Sequence, residues 1–211
     1  MESTPIEKEI SDQMTRGVLL VVTGPSGSGK DTLITLLKKK YPQIEWIVST
    51  TSRKMRDGEE QGKPYHFKTR EEFEELIAEG EFFEWVEFRG ELYGTQKKTL
   101  MEALASGKDV VWKIEMKGVK NIKQKIKNMV SRSAFVYLIG DSLEVMKKRV
   151  HKAEGEEGAK VRWNESLVIW EMKQYEDCDY LLVNSDESLD QSVEKLSNIL
   201  HAKRYEIIRE S

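Results

Sequence analysis

The apolar positions of the chain form short continuous runs that alternate with amphipathic segments. Residues 18–22 are all apolar, and the apolar residues between 32 and 38 recur at helical spacing. The alternation continues to the C-terminus, with predicted strands at 44–49, 109–115, 134–139 and 180–184 and predicted helices at 99–106, 119–127, 143–152, 160–176 and 189–203. Continuous apolar strands separated by helices are typical of a parallel sheet covered on both faces. The pattern therefore predicts an α/β fold.

A different pattern interrupts this alternation in the first half of the chain. Residues 50–63 are polar and contain glycines, which predicts a loop, and a short strand and a helix over 70–78 follow. Residues 81–88 then alternate well enough for a strand, and the turn signal at 89–91 predicts a β-hairpin. We therefore expect a small antiparallel insert on the parallel core.

The composition excludes several classes of protein. A chain of 211 residues is long enough to bury a sizeable core within one domain. Lys and Arg number 34 against 37 Asp and Glu, a balance unlike that of a protein that coats nucleic acid. No apolar run approaches the roughly 20 residues that span a bilayer. We therefore expect neither a nucleic acid nor a membrane as a partner.

The N-terminus and the single cysteine favour the cytoplasm. Residues 1–16 are polar and acidic, which predicts a tail or a loosely attached helix and is unlike a secretory signal. Cys178 excludes an intrachain disulfide, and its predicted role is that of a small side chain at the start of a strand. The expected localisation is cytoplasmic, and the sequence leaves open whether the protein is a monomer or a dimer.

The strongest chemical signal lies between the first predicted strand and the first predicted helix. The residues there are Gly24-Pro25-Ser26-Gly27-Ser28-Gly29-Lys30-Asp31-Thr32, which fit the G-x-x-x-x-G-K spacing of a P-loop. Backbone N–H groups of such a turn and the positive end of the helix dipole favour a phosphate, and Lys30 can reach the terminal phosphates of a nucleotide. We therefore predict that these nine residues bind ATP.

Further segments place this P-loop in a wider pattern. The segments 24–32, 49–56, 65–67, 80–85 and 92–95 have the order and spacing of the guanylate kinase family, which the chain resembles from about residue 18 to about residue 201. The resemblance implies an ATP:GMP phosphotransferase with a P-loop NTPase core, a parallel sheet covered by helices, a small mixed α/β GMP-binding insert and a mobile lid. The implied domain is 17–205, with the core at 17–48, 96–148 and 166–205, the insert at about 49–95 and the lid at about 149–165.

The resemblance also implies roles for individual residues. Those that resemble ligands of the GMP phosphate are Arg53, Arg56, Tyr65 and Tyr93, and those that resemble readers of guanine are Ser49, Glu84 and Thr95, with Glu115 beside them. On chemistry alone, Arg53 and Arg56 fit a phosphate clamp and a solvated basic turn equally well. A carboxylate such as Glu84 can accept from both N1–H and the exocyclic amine of guanine, although its structural alternative is an outward-facing surface acid.

Two departures from the family pattern coincide at one predicted site. Asp31 stands where the family usually has serine or glycine, and Lys113 and Glu115 stand where it normally has two aspartates. We hypothesise that the changes compensate: a carboxylate has moved from position 113 to position 31, where it pairs with Lys113 or binds the metal shell. The resemblance implies Mg²⁺ as the cofactor of ATP, with Thr32 as a ligand and Asp31 as a second candidate ligand.

The implied lid is poor in arginine. Arg149 matches the first lid arginine of the family, Lys152 stands where a second is common, and Arg162 lies near the usual later position. Because phosphoryl transfer depends on positioned positive charge, this composition predicts weak clamping of ATP. The residues implied to act in catalysis are Lys30, Arg53, Arg149 and Arg162.

Two other functions fit parts of the pattern. A guanylate-kinase-like module that binds a partner protein would share the insert, but such modules typically lose their P-loop chemistry, and Gly29 and Lys30 are intact here. A kinase for another phosphorylated acceptor, such as a ribose phosphate, would share the P-loop but would not need Ser49, Glu84 and Thr95. We therefore expect a kinase that uses ATP to phosphorylate GMP and dGMP.

Overall fold

The computed structural model describes residues 17–185 and 188–206, except for the side chains of residues 161 and 162. The predicted N-terminal tail, 1–16, lies outside these residues. In chain order the elements are β1 (Leu19–Thr23), α1 (Lys30–Lys40), β2 (Glu45–Ile47), β3 (Thr50–Thr51), β4 (His66–Phe67), α2 (Arg70–Ala78), β5 (Phe82–Phe88), β6 (Glu91–Gln96), α3 (Lys97–Ala105), β7 (Val110–Lys113), α4 (Met116–Met129), β8 (Ser133–Gly140), α5 (Leu143–Arg162), α6 (Glu165–Met172), a 3-10 helix (Lys173–Asp177), β9 (Tyr180–Asn184) and α7 (Leu189–Arg204).

The central layer of the described residues is a five-stranded parallel sheet with the order β2-β7-β1-β8-β9. Successive side chains of β1 point to opposite faces of this sheet. Leu20 and Val22 belong to an apolar layer with residues of α1 and α7, whereas Leu19 and Val21 belong to a second layer with residues of α3 and α4. Both faces are covered, which explains why the strands are apolar along their length. The predicted α/β fold is confirmed.

The strand order determines where polar side chains meet. β1, β7 and β9 are parallel strands of the same sheet, so their carboxyl ends lie at one edge. The P-loop follows β1, Lys113 ends β7 and Asn184 ends β9. Ligands of open α/β sheets bind outside this edge of the sheet. The fold therefore brings residues from distant parts of the chain to the P-loop.

A second, four-stranded sheet with the order β4-β3-β6-β5 forms the insert. β3 is parallel to β4 and antiparallel to β6, and β5 and β6 form the predicted hairpin. The hairpin turns at Arg89 and Gly90, whose φ angles of 55° and 77° lie in the left-handed region. Phe73 of α2 stacks on Phe82 with ring centroids 4.3 Å apart, which gives the insert an apolar core of its own.

The structure differs from the sequence prediction between residues 153 and 176. The stretch 153–158 was expected to be a mobile loop, but it lies within α5, which has a non-helical break at Gly155 (φ 68°, ψ −179°). The expected single helix over 160–176 is instead the end of α5, then α6 and the 3-10 helix. Asn164 separates the two α-helices because its side chain accepts a hydrogen bond from the Leu167 N–H and caps α6.

The single cysteine, Cys178, is partly buried. Cys178 packs against the apolar layer that contains α4, and burial raises the pKa of its thiol to about 12. Such a thiol is protonated near neutral pH, in agreement with the predicted packing role. Among the helices of the described ranges, none combines the length and apolar character needed to cross a membrane.

Candidate active site

The P-loop is a tight turn whose backbone requires glycine. Gly29 is the N-cap of α1 with φ 87°, and a Cβ there would lie 2.3 Å from Nδ2 of Asn184. A Cβ on Gly24 (φ 144°) would lie 1.9 Å from the carbonyl oxygen of Leu138. The Lys30 ammonium folds back over the turn and donates to the carbonyl oxygens of Gly24 and Pro25. The loop thus has the compact form in which backbone N–H groups can surround a phosphate.

Arg149 and Asn184 hold the outer side of the P-loop. Arg149 donates from Nη1 to the carbonyl oxygen of Gly27 (3.2 Å) and from Nη2 to that of Asn184 (2.9 Å). Asn184 donates from Nδ2 to the carbonyl oxygen of Ser28 at 2.9 Å. Asn184 was not predicted as a site residue, although a polar residue at the carboxyl end of a buried strand is a usable signal in a sequence.

The guanine-reading residues implied by the sequence come together in one pocket. Its lining consists of Ser49, Tyr65, Glu84, Val86, Tyr93, Gly94, Lys113, Ile114 and Glu115. Thr95 lies behind this lining, because its hydroxyl is 3.0 Å from Oγ of Ser49 and accepts from Nε1 of Trp112 at 2.9 Å. The contact with Trp112 orients the Thr95 hydroxyl, and through it the Ser49 hydroxyl.

Glu84 is the acid of this pocket with the most perturbed ionisation. Burial, with a smaller contribution from Glu115, raises the pKa of its carboxyl, hydrogen bonding to Thr95 opposes the rise, and the resulting pKa is about 7. Gly118, at the start of α4, leaves room for this carboxylate, since a Cβ there would lie 2.9 Å from Oε2 of Glu84. A desolvated acceptor of this kind discriminates strongly between ligands with and without matching donors.

The two arginines of the acceptor loop are each paired with a carboxylate. Arg53 forms a bidentate pair with Glu59, with both N–O distances 2.9 Å. Arg56 pairs with Glu154 of α5 at 2.9 Å, although the two residues are far apart in the chain. A solvated basic turn would not need these partners. The guanidinium group of Arg53 also lies close to Tyr65, since its Cζ is 5.6 Å from the centroid of the Tyr65 ring.

The Asp31 carboxylate and the Lys113 ammonium form a direct ion pair. Burial alone would lower the pKa of Lys113, but the attraction of Asp31 and Tyr65 outweighs it and holds that pKa above its ordinary value. Lys113 is therefore charged at neutral pH. The pairing that was predicted from the two departures is present, and it links α1 to the end of β7. Whether it compensates functionally stays a prediction.

Glu171 is a buried acid that the sequence analysis missed. Its side chain is 2% exposed, and within the described part of the chain its Oε2 has no hydrogen-bond partner. Burial raises its pKa to about 7, against the opposing attraction of Lys30. A signal was present, because Glu171 lies three residues after the buried Val168 on the same face of α6.

The first turn of α1 offers oxygen ligands for a nucleotide-bound cation. In the described residues there is no cluster of three His, Cys, Asp or Glu side chains that could hold a metal alone. Mg²⁺, however, usually takes one or two protein oxygens together with substrate phosphates and water. Asp31 and Thr32 are both exposed next to Lys30 and fit that arrangement. The side chain of Arg162, the remaining predicted catalytic residue, lies outside the described residues.

A P-loop at the edge of a parallel sheet, next to a polar pocket that Lys113 joins to the P-loop helix, is typical of a P-loop phosphotransferase. The sequence model of the family described as Guanylate kinase matches residues 16–203. The guanylate kinase of Clostridioides difficile is 37% identical, with 92% of each chain covered, and that of Desulfitobacterium hafniense is 33% identical, with 93% of this chain and 96% of that one covered. The chain belongs to the guanylate kinase family.

A solved structure agrees with this assignment. The crystal structure of guanylate kinase from Anaplasma phagocytophilum superimposes with a TM-score of 0.71 at 28% sequence identity, covering 92% of this chain and 89% of that one. The similarity spans both the parallel core and the insert, since almost the whole described chain is included. The resemblance on which the predicted fold depended is therefore confirmed.

Proposed function

We propose that this protein transfers the γ-phosphoryl group of ATP to GMP or dGMP, releasing ADP and the nucleoside diphosphate. The observation that carries the proposal is the contact between Asp31 and Lys113, which joins the P-loop helix to the guanine-reading pocket. A donor site and an acceptor site in direct contact are what in-line transfer between two nucleotides requires.

On the donor side, the P-loop N–H groups and Lys30 bind the phosphates of ATP. Burial lowers the pKa of Lys30, whereas Glu115, Glu171 and Asp31 oppose that effect by attraction. Bound Mg²⁺ would neutralise charge on the β- and γ-phosphates, and Thr32 and Asp31 are the residues that would hold it. Arg149 donates to the carbonyl oxygens of Gly27 and Ser28 in the loop, and its guanidinium group neutralises charge on the transferring phosphoryl group.

On the acceptor side, Arg53, Arg56, Tyr65 and Tyr93 bind the GMP phosphate. The guanidinium groups exchange a carboxylate partner for the phosphate when GMP enters. Their partners, Glu59 and Glu154, lie on the acceptor loop and on the lid respectively. The acceptor phosphate is already ionised, so the reaction needs no general base. Catalysis consists of positioning and charge neutralisation in a site closed to water.

The guanine ring binds against Ser49 and Glu84, with Thr95 behind them orienting the Ser49 hydroxyl and Glu115 also lining the pocket. The Glu84 carboxylate accepts from N1–H and the exocyclic amine of guanine. Adenine offers no such donor pair on that edge, so it would leave the desolvated carboxylate without its partners. The base selectivity of the enzyme therefore depends mainly on this side chain.

A coupled assay of ADP release tests the proposal, with GMP, AMP, CMP and UMP as acceptors and ATP–Mg²⁺ as donor. We expect activity with GMP that is lost in Lys30→Met, and relaxed selectivity in Glu84→Gln. Turnover of none of the four acceptors would refute the proposed reaction and favour a protein-binding module. Turnover of AMP but not GMP would refute the assignment of the base pocket.

A further inference from the structure

Lys113 lies at the boundary between the P-loop and the acceptor pocket. Its side chain is buried, and its ammonium contacts the Asp31 carboxylate on one side and lies 4.3 Å from the centroid of the Tyr65 ring on the other. Its backbone carbonyl oxygen accepts from Oγ of Ser49 at 3.5 Å. The backbone of Lys113 thus contacts Ser49 in the pocket, while its ammonium group contacts Asp31 at the start of α1.

Lys113 and the two arginines of the proposed acceptor site share one arrangement. Arg53 pairs with Glu59, Arg56 pairs with Glu154, and Lys113 pairs with Asp31. Each of these carboxylates balances a cation that would otherwise be costly to desolvate. For the two arginines, the proposed role of the guanidinium group is to bind the acceptor phosphate in place of the carboxylate. Lys113 has the same kind of carboxylate partner, and it lies beside Tyr65 as Arg53 does.

We propose that Lys113 binds the acceptor phosphate as a third cation beside Arg53 and Arg56. The inference rests on the proposed function, because Tyr65 and the two arginines are the phosphate ligands proposed there. Tyr65 adjoins both Arg53 and Lys113, since its ring centroid is 5.6 Å from Cζ of Arg53 and 4.3 Å from Nζ of Lys113. A phosphate oxygen that hydrogen-bonds to the Tyr65 hydroxyl therefore has both cations nearby.

The charge of Lys113 offsets the shortage of arginine in the lid. Arg149, the lid arginine that the structure describes at the P-loop, donates to the carbonyl oxygens of Gly27, Ser28 and Asn184. The transferring phosphoryl group and its acceptor repel each other, and a cation between them lowers that repulsion. Lys113 supplies the cation from the sheet, where it does not depend on closure of the lid.

The test compares ligands that differ only in the phosphate. Lys113→Met removes the charge at nearly constant length, Lys113→Arg keeps it, and Lys108→Met is the matched control at an exposed lysine paired with Glu45. The affinity for GMP is measured by calorimetry, and that for guanosine by its inhibition of GMP phosphorylation. We expect Lys113→Met to lose about tenfold or more in GMP affinity with guanosine affinity unchanged, because only GMP offers the phosphate. Lys113→Arg should recover most of the loss, and Lys108→Met should behave like the wild type.

Two results would overturn the role of Lys113. One is a GMP affinity of Lys113→Met within about twofold of the wild type, and the other is an equal loss for GMP and guanosine, which indicates a distorted pocket. If Lys113→Met does not fold, Asp31→Asn/Lys113→Met removes both charges of the pair and gives the same readout. Failure of the wild type to phosphorylate GMP would refute the proposed function itself, whereas wild-type activity with an unaffected Lys113→Met would refute the role of Lys113 alone.

Discussion

We expect the ionisation of Glu84 to make guanine binding sensitive to pH. The pKa of its carboxyl is raised from 4.5 to about 7, first by burial and then by Glu115. Only the ionised carboxylate offers an acceptor oxygen to both guanine donors. Because the pKa is raised, the binding-competent form predominates above neutral pH and is lost as the pH falls through 7.

The ionised fraction of the Glu84 carboxyl sets the size of the expected change in GMP affinity. With a pKa of about 7, roughly nine tenths of the Glu84 carboxyl is ionised at about pH 8 and roughly one tenth at about pH 6. The dissociation constant of GMP should therefore rise about tenfold between these two conditions through Glu84 alone. With an ordinary glutamate pKa the change would be only a few per cent over the same range.

Calorimetry on the wild type and Glu84→Gln separates this effect from others. The phosphate of GMP itself has a pKa of about 6, but its titration contributes equally to the measurements on both proteins. The ratio of the two dissociation constants should thus show the tenfold change, and Glu115→Gln should displace the midpoint to lower pH. A wild type whose pH dependence matches that of Glu84→Gln would refute the reasoning.

Three further outcomes are expected. Asp31→Ser and Lys113→Asp should each lower kcat. The double variant should lose less activity than the two single losses combined, with a coupling free energy of about 1 kcal/mol. Strict additivity of the two effects would contradict compensation. Glu154→Gln removes the carboxylate that holds Arg56 and should lower the KM for GMP about two- to fivefold, and an unchanged KM would count against competition between them. Glu171→Gln should raise the free energy of unfolding, measured in urea at about pH 8, by at most about 3 kcal/mol. The reason is that the pKa of Glu171 is raised from 4.5 to about 7, so its buried ionised form destabilises the folded state above that pH. That gain should shrink towards about pH 5, and a gain independent of pH would contradict the assignment.

Much of the fold was predictable because its signals are local. The apolar run of β1, the glycines of the P-loop and the turn at Gly90 each depend on a few neighbouring residues. The stretch 153–158 was predicted wrongly as a loop, since its glycines and lack of apolar residues resemble one. In the structure it continues the helix around a break at Gly155.

The predicted site residues divide in a similar way. Ser49, Glu84 and Glu115 line one pocket, in agreement with the grouping that the resemblance to the guanylate kinase family implied. Asn184 and Glu171 escaped notice, because a single polar residue at a strand end or on a helix face has many explanations in a sequence. Their significance depends on which element packs beside them.

The sequence alone determined the class of fold, the P-loop and the type of acceptor, because each is encoded by residue type and spacing within short segments. Only the tertiary structure decided which charges meet. Asp31 and Lys113 are 82 residues apart in the chain, and Arg56 reaches Glu154 from a different part of the fold. Such contacts depend on the order of strands in the sheet and on which part of the fold α5 packs beside, and no local pattern specifies either.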